Sequence, residues 1–180
     1  MIDPLSIWKS TFANLPQVSD SSWASNFANW VYDRVQSAEL SGVMTASDPF
    51  DFKKGIFESA LLVLPPTPSA AVGILGFATA WETAVVASST LLVTSGDSLG
   101  APSPATTWSV VSSSIVDTPS IAIGKAIILT LATMPPVPTV DLSKFPEIFR
   151  NAFLALTGSI VGMNSVVPPV PLPAPMVPFM

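Results

Sequence analysis

The chain has 180 residues, enough for one core-bearing domain and cramped for two. Charged residues are 11% of it, against about 25% in a typical globular domain, so there are too few ions to coat the outside and part of the apolar surface must be covered by a partner or by lipid. Seven scattered Lys and Arg against twelve Asp and Glu exclude the basic stripe that nucleic-acid binding requires. The absence of His and Cys excludes disulfides, zinc–thiolate sites, thiol catalysis and any Ser-His-Asp arrangement.

In chain order, the punctuation repeats. Met1-Ile2-Asp3-Pro4 lacks a basic region followed by an apolar run, so no signal peptide is expected there. Asp3-Pro4 opens a helical segment that reaches Leu15-Pro16, and a second segment runs from Ser21 to Leu40. In that second segment Trp23, Phe27, Trp30, Val31 and Ala38 recur on one helical face. Asp48-Pro49 opens a further segment that ends at Pro65-Pro66-Thr67-Pro68, followed by Ser69 to Ser95. From Val72 to Val93 this last run is apolar or small nearly all round, with Glu82 as its one charge. A helix without a polar face is buried, in protein or in membrane.

Asp97 to Val116 is rich in Ser, Thr, Gly and Pro and reads as a linker, with a short strand expected at Trp108-Ser109-Val110-Val111. Asp117-Thr118-Pro119 opens a third unit that reaches Pro135-Pro136-Val137-Pro138, and Leu142 to Gly162 returns as a helix through Phe145, Ile148, Phe149, Ala152, Leu156 and Ile160. Asp supplies an acceptor to free N–H groups at a helix start, and Pro is tolerated in the first turn because its N–H is not needed there. Pro also stops a helix. Gly42, Gly96 and Gly162 suit C-terminal caps. From Val166 to Met180 the chain holds six prolines and no charge, which predicts an extended polyproline arm.

The expected fold is therefore all-α. About six helices form three antiparallel hairpins, 1–42, 48–96 and 117–162, with a linker at 97–116 and an extended arm at 163–180.

Little in the chain points to catalysis. Gly96-Asp97-Ser98-Leu99-Gly100 imitates a nucleophile elbow but has no histidine to complete a triad. Gly73-x-x-Gly76 lacks the lysine and the strand of a phosphate loop. Asp3, Asp48 and Asp117 are expected to cap helices. Asp33, Glu39 and Glu147 fall on polar faces, and no acid pair is marked for glycoside chemistry. No catalytic, cofactor-binding or metal-binding residue is assigned. Glu82 stands out as a buried polar site: either a polar element of a pore, or a carboxylate paired with a Lys or Ser of a neighbouring helix.

Trp8, Phe12, Trp23, Phe27 and Trp30 read either as an interface anchor or as the core of the first hairpin. Trp81, Trp108, Leu172, Met176 and Phe179 complete the set of apolar residues expected at a partner interface.

Two functions fit. One is a structural subunit whose helices pack on copies of the chain or on other subunits. The alternative is a small pore or lysis-type protein that inserts the 72–93 helix. A spanning helix needs about 20 mostly apolar residues, which only that run supplies, with Glu82 mid-span. Assembly is the better fit, with transient membrane contact as an addition. The absence of Cys and His, the Ser, Thr, Ala and Pro richness, the low charge and the proline arm together resemble small virion structural proteins of tailed bacteriophages, notably hydrophobic components of the tail tip or baseplate hub. That resemblance implies a tail subunit that contacts other virion proteins and touches the host envelope during ejection.

Overall fold

Helix starts are set by different devices. The computed structural model describes residues 2–15, 22–36, 52–64, 70–88, 108–110, 116–134, 141–164 and 171–176. Helix α1 (Leu5–Phe12) begins after Pro4, whose carbonyl accepts from the amides of Ile7 and Trp8. Helix α2 spans Trp23–Val35. Helix α3 (Lys54–Leu62) is started from outside: the Lys53 amide donates to Ser88 Oγ at 2.8 Å, and Ser88 is the last residue of α4 (Ala70–Ser88). Helix α5 (Thr118–Leu129) has the expected Asp117 cap, which accepts from the Ser120 amide at 2.7 Å, with Pro119 in its first turn. A 3-10 turn at Leu142–Lys144 leads into α6 (Phe145–Leu154).

The body is all-α, built from these six helices. Each packs on its neighbours in sequence, and α6 closes the circle against α1. The expected pairs α1–α2, α3–α4 and α5–α6 are in contact, yet each also meets the next pair, so the helices enclose one shared core.

Aromatic rings fill that core. Phe27 of α2 lies 5.3 Å from Trp30, 5.4 Å from Phe149, 5.6 Å from Phe77 and 6.0 Å from Phe57, with Phe12 and Phe145 slightly farther off. One residue thus ties α1, α2, α3, α4 and α6. A second group gathers on Phe153, which meets Phe52 at 5.4 Å, Trp81 at 5.6 Å and Trp8 at 6.4 Å. Helix α5 joins through absence of a side chain. A Cβ on Gly124 would collide with the Trp81 ring and would stand 2.9 Å from the Ala152 carbonyl oxygen. Gly124 therefore lets α4, α5 and α6 meet at one point.

Three expectations need correction. Asp3 does not cap α1; its carboxylate pairs with Arg34 at 3.0 Å. The last helix stops at Leu154 rather than Gly162, and residues Gly158–Asn164 form strand β2. The periodicity of Leu156 misled, because Leu156 is buried after the helix has ended. Thr157 is held to Asp117, and the β-branched Ile160-Val161 between two glycines favours extended backbone.

The third correction concerns the arm. Its Pro171–Met176 segment is extended, but as strand β3, hydrogen-bonded antiparallel to β2 with Ile160 opposite Ala174. Strand β1 (Trp108–Val110), inside the expected linker, pairs on the other side of β2, so the order is β1-β2-β3. Pro171, Pro173 and Pro175 alternate with Leu172, Ala174 and Met176. Successive residues of a strand direct their N–H groups to opposite edges, so the prolines fall on the outer edge and the others donate to β2. The expected Asp48 cap, the turns at 65–68 and 135–138, the C-caps Gly42 and Gly96 and the helix end at 89–95 lie outside the described residues.

Two outcomes are expected. Phe27→Ala costs about 3–5 kcal/mol in urea unfolding, whereas Leu62→Ala, on the exposed side of α3, stays within about 0.5 kcal/mol. Equal costs would contradict a central role for Phe27. Truncation after Ser165, which removes β3, leaves the helical circular-dichroism signal intact, because the sheet strands pack chiefly on one another. Loss of that signal would place β3 within the helical core.

Candidate functional site

Of the residues expected at a partner interface, four are core. Trp8 and Trp81 are fully buried, and Phe27 and Trp30 nearly so. They correct the interface reading: the six-helix ring supplies the burial that one hairpin could not. Trp30 Nε1 donates to Thr11 Oγ1 at 2.9 Å, while the indole N–H groups of Trp8 and Trp81 are buried without an acceptor. An unpaired buried donor costs about 1–3 kcal/mol, so these two rings are tolerated for their apolar volume. Trp23 is partly buried, against Phe27 and Phe77. Trp108 lies in β1, and Leu172 and Met176 lie in β3. Phe179 is outside the described residues.

Glu82 has the ionic partner expected of it. Lys125 Nζ of α5 stands 2.5 Å from Glu82 Oε2, and the two side chains are 27% and 34% exposed, respectively. Each is the single charge of its helix. Two solitary ions in two adjoining apolar helices are best satisfied by each other, which is the signal the sequence offered for Lys125.

Around this pair the outer sides of α4 and α5 carry no other charge. Leu75 is 51% exposed and Ile123 55%, and Thr79, Thr83, Ala122 and Ala126 are exposed with them. Helix α4 is apolar on both sides for different reasons. Ile74, Ala78, Trp81 and Val85 enter the core, whereas Val72, Leu75 and Val86 face outward.

Ionic and polar contacts that the sequence reading missed lie elsewhere. Asp3 is held twice, its carboxylate by Arg34 of α2 and its carbonyl oxygen by Arg150 Nε of α6 at 3.0 Å. Lys54 Nζ donates to Asn29 Oδ1 at 2.8 Å and lies over the Tyr32 ring. Lys9 pairs with Glu147 at 3.6 Å on the exposed side of α1 and α6. Asp117 joins the start of α5 to the end of α6: Thr157 Oγ1 donates to Oδ2 at 2.7 Å, and the Asp117 amide donates to the Thr157 carbonyl at 2.9 Å. These contacts are structural clips. Among the described residues no three His, Cys, Asp or Glu side chains gather to hold a metal ion, and no helix is long and apolar enough to cross a membrane.

Burial alone would raise the Asp117 pKa, but the Thr157 hydroxyl and the Ser120 bonds outweigh it and hold the carboxyl below its usual value. A carboxylate whose pKa is lowered on folding stabilises the native state above its unfolded pKa, and that stability disappears as pH falls through the folded value. Wild-type stability should therefore fall more steeply than that of Asp117→Asn between about pH 5 and pH 2, as read by urea midpoints across that range. Parallel pH profiles would show that Asp117 does not contribute through its charge. No protein-family model, curated protein or solved structure matches the chain.

Proposed function

We propose that the chain is a non-enzymatic structural subunit of a multiprotein particle, and that it packs an uncharged helical face against neighbouring subunits. The observation that carries this reading is the outer side of α4 and α5, where Leu75, Ile123, Ala122, Ala126, Thr79 and Thr83 are exposed beside one neutralised ion pair. Exposed apolar surface of this kind marks interaction sites. The shortage of charge along the whole chain supports the same reading.

The compositional resemblance to small virion proteins makes a bacteriophage tail, at its tip or baseplate hub, the particle in view. Its partners are then other virion proteins and copies of the chain, with transient contact to the host envelope. A pore built on the 72–93 segment has less support, because Ile74, Ala78, Trp81 and Val85 of that segment are committed to the chain's own core.

An apolar interface is insensitive to ionic strength, since salt screens charges and strengthens apolar burial. The chain should co-sediment with purified particles and stay with them through washes at about 1 M salt, where the screening length is roughly 3 Å. Quantitative release by salt, or recovery only as free protein, would count against a structural role.

A further inference from the structure

The proposed structural role leaves open which surface is covered and by what. Charge is distributed unevenly over the described helices. Lys9 on α1, Asp33 on α2, Glu58 on α3 and Glu147 and Arg150 on α6 are all partly or fully exposed. Helices α4 and α5 lie side by side and share only Glu82 and Lys125, bound to each other.

We propose that the α4–α5 face receives the same face of a second copy of this chain, across a two-fold axis that passes beside the Glu82–Lys125 pair. This rests on the subunit reading above and names the partner it leaves open.

Three features argue for a second copy over other occupants. The first is charge. A partner rich in one sign of charge would find no unpaired counter-ion here. A two-fold axis crossing the Glu82–Lys125 line at right angles sets each carboxylate opposite the other copy's ammonium, so the patch complements itself, as an isologous interface must. An ion pair already neutralised within the chain is also far less costly to cover than a lone charge.

The second feature is shape. Thr79, Thr83, Ala122 and Ala126 are small, so helices of two copies can approach to about 8–10 Å. The third is extent. A helix of 19 residues is about 28 Å long, and two helices side by side are about 20 Å across. Helix α5, with 12 residues, is about 18 Å long, so two such faces cover on the order of 900 Å², close to the roughly 1,000 Å² of the smallest specific interfaces and so the size of a weak, reversible dimer.

The test uses the full chain in Glu82→Lys and Lys125→Glu forms, each checked for helical content by circular dichroism. The first variant carries two ammonium groups at the seam and the second two carboxylates. The wild type should sediment as a dimer of the 18.8 kDa chain. Each variant alone should associate at least about 10-fold more weakly, because like charges face one another across the axis, and an equimolar mixture should recover dimers containing one of each. Leu75→Asp and Ile123→Asp, both at exposed positions that leave the core intact, should weaken the dimer to a similar degree.

Failure of the mixture to recover would overturn the two-fold arrangement. A wild-type oligomer indifferent to all four substitutions would overturn the choice of face while leaving the subunit role standing. So would a wild-type monomer that still sediments with particles. A wild-type monomer that floats with neutral phosphatidylcholine vesicles, and stops doing so with Leu75→Asp, would mean that lipid and not a second copy covers the face. If Glu82→Lys lowers helical content, Glu82→Gln provides the weaker perturbation: it should reduce dimerisation without unfolding, and an unchanged dimer would overturn the role of the pair.

Discussion

Phe27 sits where five of the six helices converge, and the rest of the helical body depends on that packing. Its ring meets Phe12, Phe57, Phe77, Phe145 and Phe149, which come from α1, α3, α4 and α6. Many of these pairs are edge-on or tilted, the arrangement in which the positive rim of one ring meets the negative face of another. Each such pair adds about 0.5–1.5 kcal/mol beyond area burial. Through Trp8, which meets Trp30 at 5.1 Å, the Phe27 group is continuous with the Phe153 group. The core is therefore one object shared by all the helices, and no single pair of them could keep it dry.

A chain with so few ions uses them as clips between elements that the core has already brought close. Asp3 receives Arg34 and Arg150 and so fastens the N-terminal segment to α2 and α6. Lys54 reaches α2, and Glu82 meets Lys125 across α4 and α5. Asp117 binds Thr157 where the helical body gives way to β2. The Arg34–Asp3 and Lys125–Glu82 pairs are part-buried, so the cost of desolvating them offsets much of their attraction, and they select an arrangement more than they hold it together.

The sequence made the helices legible because their signals are local. Asp117-Thr118-Pro119 carries a cap and a first-turn proline in three residues, and the structure uses both. Asp3-Pro4 carries the same letters without the same use, because two arginines far along the chain claim Asp3. Long-range partners leave no local mark. The same limit explains Trp8, Phe27, Trp30 and Trp81: high aromatic content suits an interface or a core equally, and only the closure of α6 on α1 decides for the core. Leu156 and Ile160 keep the helical period of α6 beyond its end, so periodicity alone could not reveal the turn into β2. Glu82 was a partial exception: its isolation in an apolar helix called for a Lys or Ser of a neighbouring helix, and the structure supplies Lys125.

Strand edges offer a common route to association, and among the described residues both edges of the sheet are blunted. On β3 the outer edge is occupied by Pro171, Pro173 and Pro175, none of which has an N–H to give. On the opposite side β1 is three residues long, too short to template a further strand. The Pro171–Met176 part of the expected extended arm is paired to β2 of its own chain, and its prolines lie on the other edge. Among the residues whose burial is described, the large exposed apolar side chains lie on α1, α3, α4 and α5 and at Val63 and Leu142. On α4 and α5 that surface surrounds a single neutralised ion pair, whereas the other helices carry more charge at or near their surfaces, in Lys9, Asp33, Glu58, Glu147 and Arg150. Blunting of the edges and neutrality of the α4–α5 face thus act in one direction: association through strands is suppressed, and association through a single pair of helices is left open.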